Sequence, residues 1–322
     1  VSDIVSCGTE QELETAVAEA ARVVADGECI VLPTDTVYGI GCDAFSAPGV
    51  QGLLAAKGRT REMPPPVLIS RPEVMAGLAD QVSDDARALA DAFWPGALTL
   101  VCWAQPSLGW DLGETHGTVA LRVPDDAVTR AVLERVGPMA VSSANRTGLP
   151  AARTAHAARE MLQDRVGLYL DDGARPTTAL PDDVRDAAST IVDCTGETPV
   201  VLRHGAISLH RLREVVPTVH GGADDAAPAP EPDPAPEPDP AADQVSAVDR
   251  AGTAAPSTPG DVVSDDEVIA SMVRDASAPP AGDVDQARDR SRHAETRWEG
   301  TSALSMADAR RLVGGGTPAD RG

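Results

Sequence analysis

The sequence predicts an α/β domain built on a mixed sheet over residues 1–220, continued by an acidic extension over residues 221–322. Three observations carry this reading. Strand-length apolar runs alternate irregularly with segments of helical period across the first 220 residues. Those residues hold nearly all the aromatic and long aliphatic side chains, enough for one core of that size. After His220-Gly221-Gly222 the composition turns to Ala, Asp, Pro and Gly, which buries too little apolar surface to order itself.

The elements follow in order. Thr9-Glu10-Gln11-Glu12 is a capping box. Leu13, Val17, Ala20, Ala21 and Val24 then recur at helical spacing until Gly27. Glu28–Leu32 reads as a strand ended by Pro33, and Thr34–Gly41 as a polar, glycine-punctuated loop. A helix is expected from Pro48 to Lys57, with Gly58 just past its end. Val67–Ser70 is a short buried strand, and Ser83 caps a helix running through Ala92. Leu98–Ala104 and Thr118–Val123 are strands separated by a Gly/Trp/Asp loop. Ala127–Val136 is a helix, and Pro138–Ser142 a strand opening into Ser143-Ala144-Asn145-Arg146-Thr147-Gly148. Thr154 caps a helix, Val166–Leu170, Ser189–Asp193 and Pro199–Arg203 are strands, and Ser208–Val216 is a closing helix. The extension opens with a Pro-alternating run over Ala227–Pro240 that favours polyproline II. It also holds two short helical patterns, one at Val268–Val273 behind the capping-box string Ser264–Glu267 and one at Ser302–Val313.

Charge and composition exclude several function classes. The net charge is −23, with 20 acidic and 9 basic residues from position 223 onward and 30 and 18 before it. Neither part is a basic footprint, so tight non-specific nucleic-acid binding is not expected. The five cysteines (Cys7, Cys29, Cys42, Cys102 and Cys194) form no CxxC and no metal-ligand spacing. No signal peptide and no membrane-spanning apolar run is visible, which predicts a cytoplasmic protein. Neither GxGxxG after a strand nor GxxxxGK[ST] is present.

One residue type is used once. Lys57 is the single lysine, and it stands two residues from Arg59. A compact ammonium beside a planar guanidinium suits phosphate and carboxylate. A lysine capping the helix C-terminus explains the spacing equally well. Other small polar and cationic residues fall at strand ends: Thr34, Asp35 and Thr36, then Arg122, then Ser142, Ser143 and Asn145, then Thr190 and Arg203. Ligands of α/β sheets collect beyond strand ends, and this set would suit an anionic one.

Taken together, certain strings are far more specific than any one of them. They are Pro33-Thr34-Asp35-Thr36-Val37-Tyr38-Gly39-Ile40-Gly41, Lys57-Gly58-Arg59, Phe93-Trp94-Pro95-Gly96-Ala97-Leu98-Thr99, Leu121-Arg122-Val123-Pro124, Ser142-Ser143-Ala144-Asn145, Ser189-Thr190-Ile191-Val192-Asp193 and Leu202-Arg203-His204-Gly205-Ala206-Ile207. Over residues 10–215 the chain resembles the YrdC-like family of threonylcarbamoyl-AMP synthases. The resemblance implies a single YrdC-like domain with a twisted mixed sheet and a large concave cavity. It implies that L-threonine, bicarbonate or CO₂, and ATP are joined into L-threonylcarbamoyladenylate with release of pyrophosphate. That adenylate would feed threonylcarbamoylation of adenosine 37 in tRNAs reading ANN codons, through a downstream transferase complex. The family's Lys-x-Arg and Ser-x-Asn elements map onto Lys57, Arg59, Ser143 and Asn145. The roles expected on that basis are catalysis by Lys57 and Arg59, ATP binding by Lys57, Ser143, Asn145, Thr190 and Arg203, and threonine binding by Thr34, Thr36, Arg59 and Arg122. Mg²⁺ is expected to arrive with ATP, with no metal site in the protein itself. The run Met63-Pro64-Pro65-Pro66-Val67 departs from the family's Asn-Pro-Leu-like pattern, so no role is carried over to it. The alternative reading is a non-catalytic module for double-stranded RNA or tRNA, which the charge opposes.

Overall fold

The structure, a computed structural model, describes residues 3–177, 179 and 187–222. The extension and both of its expected helices lie outside the described residues. The strands are β1 (Asp3–Ser6), β2 (Ile30–Leu32), β3 (Gly39–Asp43), β4 (Val67–Leu68), β5 (Ala79–Asp80), β6 (Leu98–Ala104), β7 (Thr118–Arg122), β8 (Met139–Ser143), β9 (Leu168–Asp171), β10 (Thr190–Asp193) and β11 (Val200–Arg203). The helices are α1 (Glu10–Ala25), α2 (Ala47–Lys57), α3 (Met75–Leu78), α4 (Asp84–Phe93), α5 (Ala127–Val136), α6 (Ala155–Leu162) and α7 (Leu209–Val215).

The strands form one mixed sheet in the order β1-β9-β2-β3-β8-β4-β7-β6-β10-β11, with β5 paired to β6. Pairing is parallel between β1 and β9, β2 and β9, β4 and β7, and β6 and β10, and antiparallel at the other joints. Helices cover both faces. Ile30, Leu32, Leu168, Leu170, Met139 and Val141 pack in one apolar layer with Val23 and Val24 of α1 and Val128, Val132 and Leu133 of α5. The residues between them, Val31, Tyr169 and Ala140, point into the opposite layer with Leu53 of α2, Leu89 of α4 and Leu162 of α6. This is the two-residue period of a strand buried on both sides.

Local chemistry explains the ends. Thr9 and Glu12 close the capping box, Thr9 N–H donating to Glu12 Oε2 at 2.9 Å and Glu12 N–H to Thr9 Oγ1 at 3.2 Å. Ser46 caps α2, and Gly58 ends it in the left-handed region at φ +72. Ser83, Asp126 and Thr154 cap α4, α5 and α6 through side-chain oxygens.

Three stretches differ from the sequence expectation. Gly39–Asp43 is strand β3, so only the first half of Thr34–Gly41 is a loop. The glycines there serve close approach: a Cβ on Gly39 would lie 2.6 Å from Val141 Cγ1, and one on Gly41 2.8 Å from Val141 Cγ2. Asp3–Ser6, too short and polar to read as a strand, is held as β1 by parallel pairing with β9. The stretch Pro72–Asp80, where the sequence offers no element signal, contains a 3₁₀ turn, the one-turn helix α3 and β5.

Candidate active site

An open pocket, ≈ 600 Å³ including its solvent-filled mouth, lies where the ends of β7, β8 and β11 meet the starts of β3, β6 and β10. Its polar wall is made of Thr34, Thr36, Thr99, Ser142, Ser143 and Ser189, and three guanidinium groups, Arg59, Arg122 and Arg203, line it. Leu68, Val141 and Ile191 supply an apolar floor.

Each cation is held by the chain that brings it there. Arg122 ends β7 and is 5 % exposed. It donates from Nε to Gly96 O at 3.0 Å, from Nη1 to Thr36 Oγ1 at 3.1 Å and from Nη2 to Asp35 Oδ1 at 2.6 Å. Asp35 also accepts the Asp125 N–H at 3.1 Å. Arg59, in the turn after α2, donates from Nη1 to Ser142 Oγ at 2.8 Å. Arg203 ends β11 and donates from Nε and Nη2 to Ser189 O at 3.0 and 2.7 Å and from Nη2 to Ser189 Oγ at 3.0 Å. Ser189 Oγ is 2.9 Å from Thr99 Oγ1.

The threonine pair has a defined polarity. Thr34 Oγ1 donates to Val37 O at 2.6 Å and accepts the Thr36 and Val37 N–H groups at 3.2 Å each. With its one hydrogen used, Thr34 can only accept in the 2.9 Å contact with Thr36 Oγ1, as a third bond sharing the lone pairs that take the two long N–H bonds, so Thr36 is the donor there. Thr36 Oγ1, already accepting from Arg122, presents a remaining lone pair. Among the described residues, Arg122 keeps one N–H on each terminal nitrogen beyond those bonds.

The pocket thus gathers Thr34, Thr36, Arg59, Arg122, Ser142, Ser143 and Arg203 of the residues singled out by sequence. It does not gather Lys57, Asn145 or Thr190. Thr190 is fully buried; its hydroxyl donates to Ile207 O at 2.7 Å and accepts the N–H groups of Gly205 and Ile207 at 3.2 and 2.9 Å, pinning the loop after β11. Lys57 is 2 % exposed at the end of α2. Its Nζ donates to Ser143 O at 2.5 Å and to Asn145 O and Oδ1 at 3.0 Å each, with Ser143 Oγ at 3.4 Å. An ammonium has three hydrogens, and three carbonyl oxygens converge on this one. Asn145 spends its amide on Leu149 O and Arg146 O. The sequence assigns Lys57, with Arg59, to the phosphates and the carbamate or carboxylate; the bonds the structure shows for it fasten the turn that carries Ser143. Thr99 and Ser189, to which the sequence gives no role, also line the pocket, and the β6–β10 register, Thr99 against Ile191, is what brings them together.

Fold and pocket define a three-layered α/β protein, one mixed sheet between two layers of helices, with a pocket lined by fixed cations that suits anionic ligands. A model of the Sua5/YciO/YrdC family, described as telomere recombination, matches residues 22–205, and the chain belongs to that family. A Mycobacterium leprae (strain TN) protein bearing the provisional name threonylcarbamoyl-AMP synthase is 46% identical over 219 residues, covering 68% of this chain and 96% of that protein. The threonylcarbamoyl-AMP synthase of Bacillus subtilis (strain 168) is 32% identical over 206 residues, 63% of this chain and 57% of that protein. The crystal structure of P. abyssi Sua5 complexed with L-threonine superposes with a TM-score of 0.61 and 30% identity over 68% of this chain and 63% of that one.

Proposed function

We propose that this protein is a threonylcarbamoyl-AMP synthase, joining L-threonine, CO₂ from bicarbonate, and ATP. The observation that carries the reading is the convergence of Arg59, Arg122 and Arg203 with the Thr34–Thr36 hydroxyl pair in one pocket, in a chain so similar to proteins named for that activity.

In the first step the threonine nitrogen bonds to the carbon of CO₂ and gives up a proton to water. A carbamate oxygen then bonds to the α-phosphorus as the bond to the α,β-bridging oxygen breaks, and pyrophosphate leaves. Two anions must meet, and cations fixed in advance lower the cost of bringing them together. Arg122 would take the threonine carboxylate on its two remaining N–H groups. Thr36 would accept the threonine hydroxyl hydrogen, which makes the site selective for a hydroxyl-bearing substrate. Arg59 would sit between carbamate and phosphates, while Arg203, Ser143 and Ser189 would meet the nucleotide. Lys57 and Asn145 act through Ser143, and Thr190 through the loop after Arg203. Mg²⁺ would enter as part of the nucleotide substrate. No covalent nucleophile is required; positioning and electrostatics suffice. The product would pass to the complex that threonylcarbamoylates adenosine 37 of tRNAs reading ANN codons.

The test is direct. Incubation with ATP, labelled threonine and bicarbonate should give pyrophosphate and a labelled adenylate, each dependent on threonine. Pyrophosphate release that is indifferent to threonine would refute the proposal.

A further inference from the structure

A buried ion cluster outside the pocket is not used by the chemistry above. Arg175 follows β9, and its side chain and that of Asp126 are each 4% exposed. Arg175 donates from Nε and Nη2 to Asp126 Oδ2 at 3.0 and 2.9 Å, and from Nη1 to Asp172 O and Nη2 to Asp172 Oδ2, both at 2.5 Å. Burying such a pair is costly, and an apolar pair of similar volume is often as stable or more so. Stability alone therefore gives little reason for it.

Its connections lead to the substrate loop. Asp126 Oδ1 accepts the Thr129 N–H at 3.0 Å, and Thr129 Oγ1 donates to Pro33 O, immediately before Thr34. The neighbouring Asp125 N–H fixes Asp35, Asp35 fixes Arg122, and Arg122 fixes Thr36. The other end of the same loop is tied to the same place: Tyr38 donates from its hydroxyl to Gly173 O at 2.7 Å and from its N–H to Ala152 O at 2.9 Å. Arg175 N–H in turn donates to Arg153 O at 2.9 Å, and Arg153 Nε to Arg175 O at 2.8 Å. Both ends of Pro33–Tyr38 are thus anchored to segments that Arg175 holds.

From this geometry we infer that the Arg175–Asp126 pair is a positioning device for amino-acid selection: it sets the Asp35–Arg122–Thr36 chain, and so the acceptor and the two N–H groups offered to the amino-acid substrate. The inference rests on the synthase reading above. It goes beyond that reading by assigning threonine selectivity to residues that do not line the pocket.

The test uses the full chain and three variants: Asp126→Asn, which keeps an oxygen to cap α5; Arg175→Met; and the double variant Asp126→Asn/Arg175→Met, in which no charge is left buried unpaired. Steady-state kinetics with threonine and with valine, its isostere without the hydroxyl, calorimetric binding of L-threonine, and thermal unfolding are measured on each. The expected result is a rise of about tenfold or more in KM for threonine, the scale of a small displacement of a binding group. The preference for threonine over valine should shrink, while the KM for ATP is unchanged. In the double variant the unfolding midpoint should return toward wild type while the KM for threonine stays raised. A KM that recovers together with the midpoint would make the pair merely structural and overturn the inference, as would unaltered threonine kinetics in any folded variant. A wild-type protein that neither binds threonine nor releases pyrophosphate with it would overturn the synthase reading itself. Wild type that does both, matched by all three variants, overturns this inference alone.

Discussion

Replacing Lys57 with arginine keeps the charge and changes only its geometry, which makes it the sharpest probe of the Ser143–Asn145 turn. Three carbonyl oxygens, Ser143 O, Asn145 O and Asn145 Oδ1, lie within 3.0 Å of a single nitrogen. A guanidinium spreads its donors in a plane around carbon and cannot bring three of them to one point. It is also longer, in a site where the lysine is 2 % exposed. Each hydrogen bond to a charged group contributes about 1.5–3 kcal/mol, but these are not additive and the turn can relax, so Lys57→Arg should cost about 2–4 kcal/mol of stability. Lys57→Met, which also removes the desolvation cost of the ion, should lie at the lower end of that range. In both, a shift of the Ser143 turn by about 1 Å should lower adenylate formation by about 10²-fold, or roughly 2.7 kcal/mol of barrier. The assay is threonine-dependent pyrophosphate release, paired with urea unfolding of the same samples. Wild-type turnover together with an unchanged midpoint in Lys57→Arg would refute the claim that this site needs a converging ammonium.

Three further outcomes are expected. Gly39→Ala should destabilise by about 1–3 kcal/mol, because its new methyl would meet Val141 Cγ1 at 2.6 Å and either that side chain or a strand must shift; the urea midpoint reads it. Burial pushes the Cys7 thiol up to about 11 and the Cys102 thiol up to about 12. The unfolded chain ionises from near 9, so both thiols favour the fold below that pH and lose that contribution as pH rises from about 9 to about 11 for Cys7 and to about 12 for Cys102. Guanidinium titrations across pH 8–11 should show falling stability, with a shallower decline in Cys102→Ala. Removing residues 223–322 should leave pyrophosphate release unchanged, since no residue assigned to the chemistry lies beyond Arg203; a drop in kcat would place part of the site in the extension.

Helix ends were legible in the sequence because their causes are local. Thr9 with Glu12, Ser83, Thr154 and Gly58 each act within four residues of themselves. The order of strands was not legible, because β9 reaches β2 and β10 reaches β6 across long intervals that no local pattern encodes. Gly39 and Gly41 were misread for a related reason: a glycine that relieves a turn and one that admits a neighbouring side chain are identical in sequence, and only Val141 on another strand distinguishes them. The site was legible as a set of residue types at strand ends. Direction was the missing quantity. At the start of β10, Ser189 faces the pocket and Thr190 faces the loop after β11, and a one-residue difference decides which hydroxyl meets a ligand. Lys57 was singled out correctly as unusual, but its reach across to β8 depended on how α2 packs.

The burial of Lys57 has a chemical corollary. A mixed anhydride of a carbamic acid and AMP is an acylating agent, and primary amines are its natural victims. A catalyst that makes such a compound while displaying lysines around its mouth would modify itself in proportion to its own turnover. Here every other basic side chain is a weakly nucleophilic guanidinium or an imidazole, and the one ammonium has all its hydrogens directed at carbonyl oxygens inside the fold. The product leaves past a surface with no lysine to capture it.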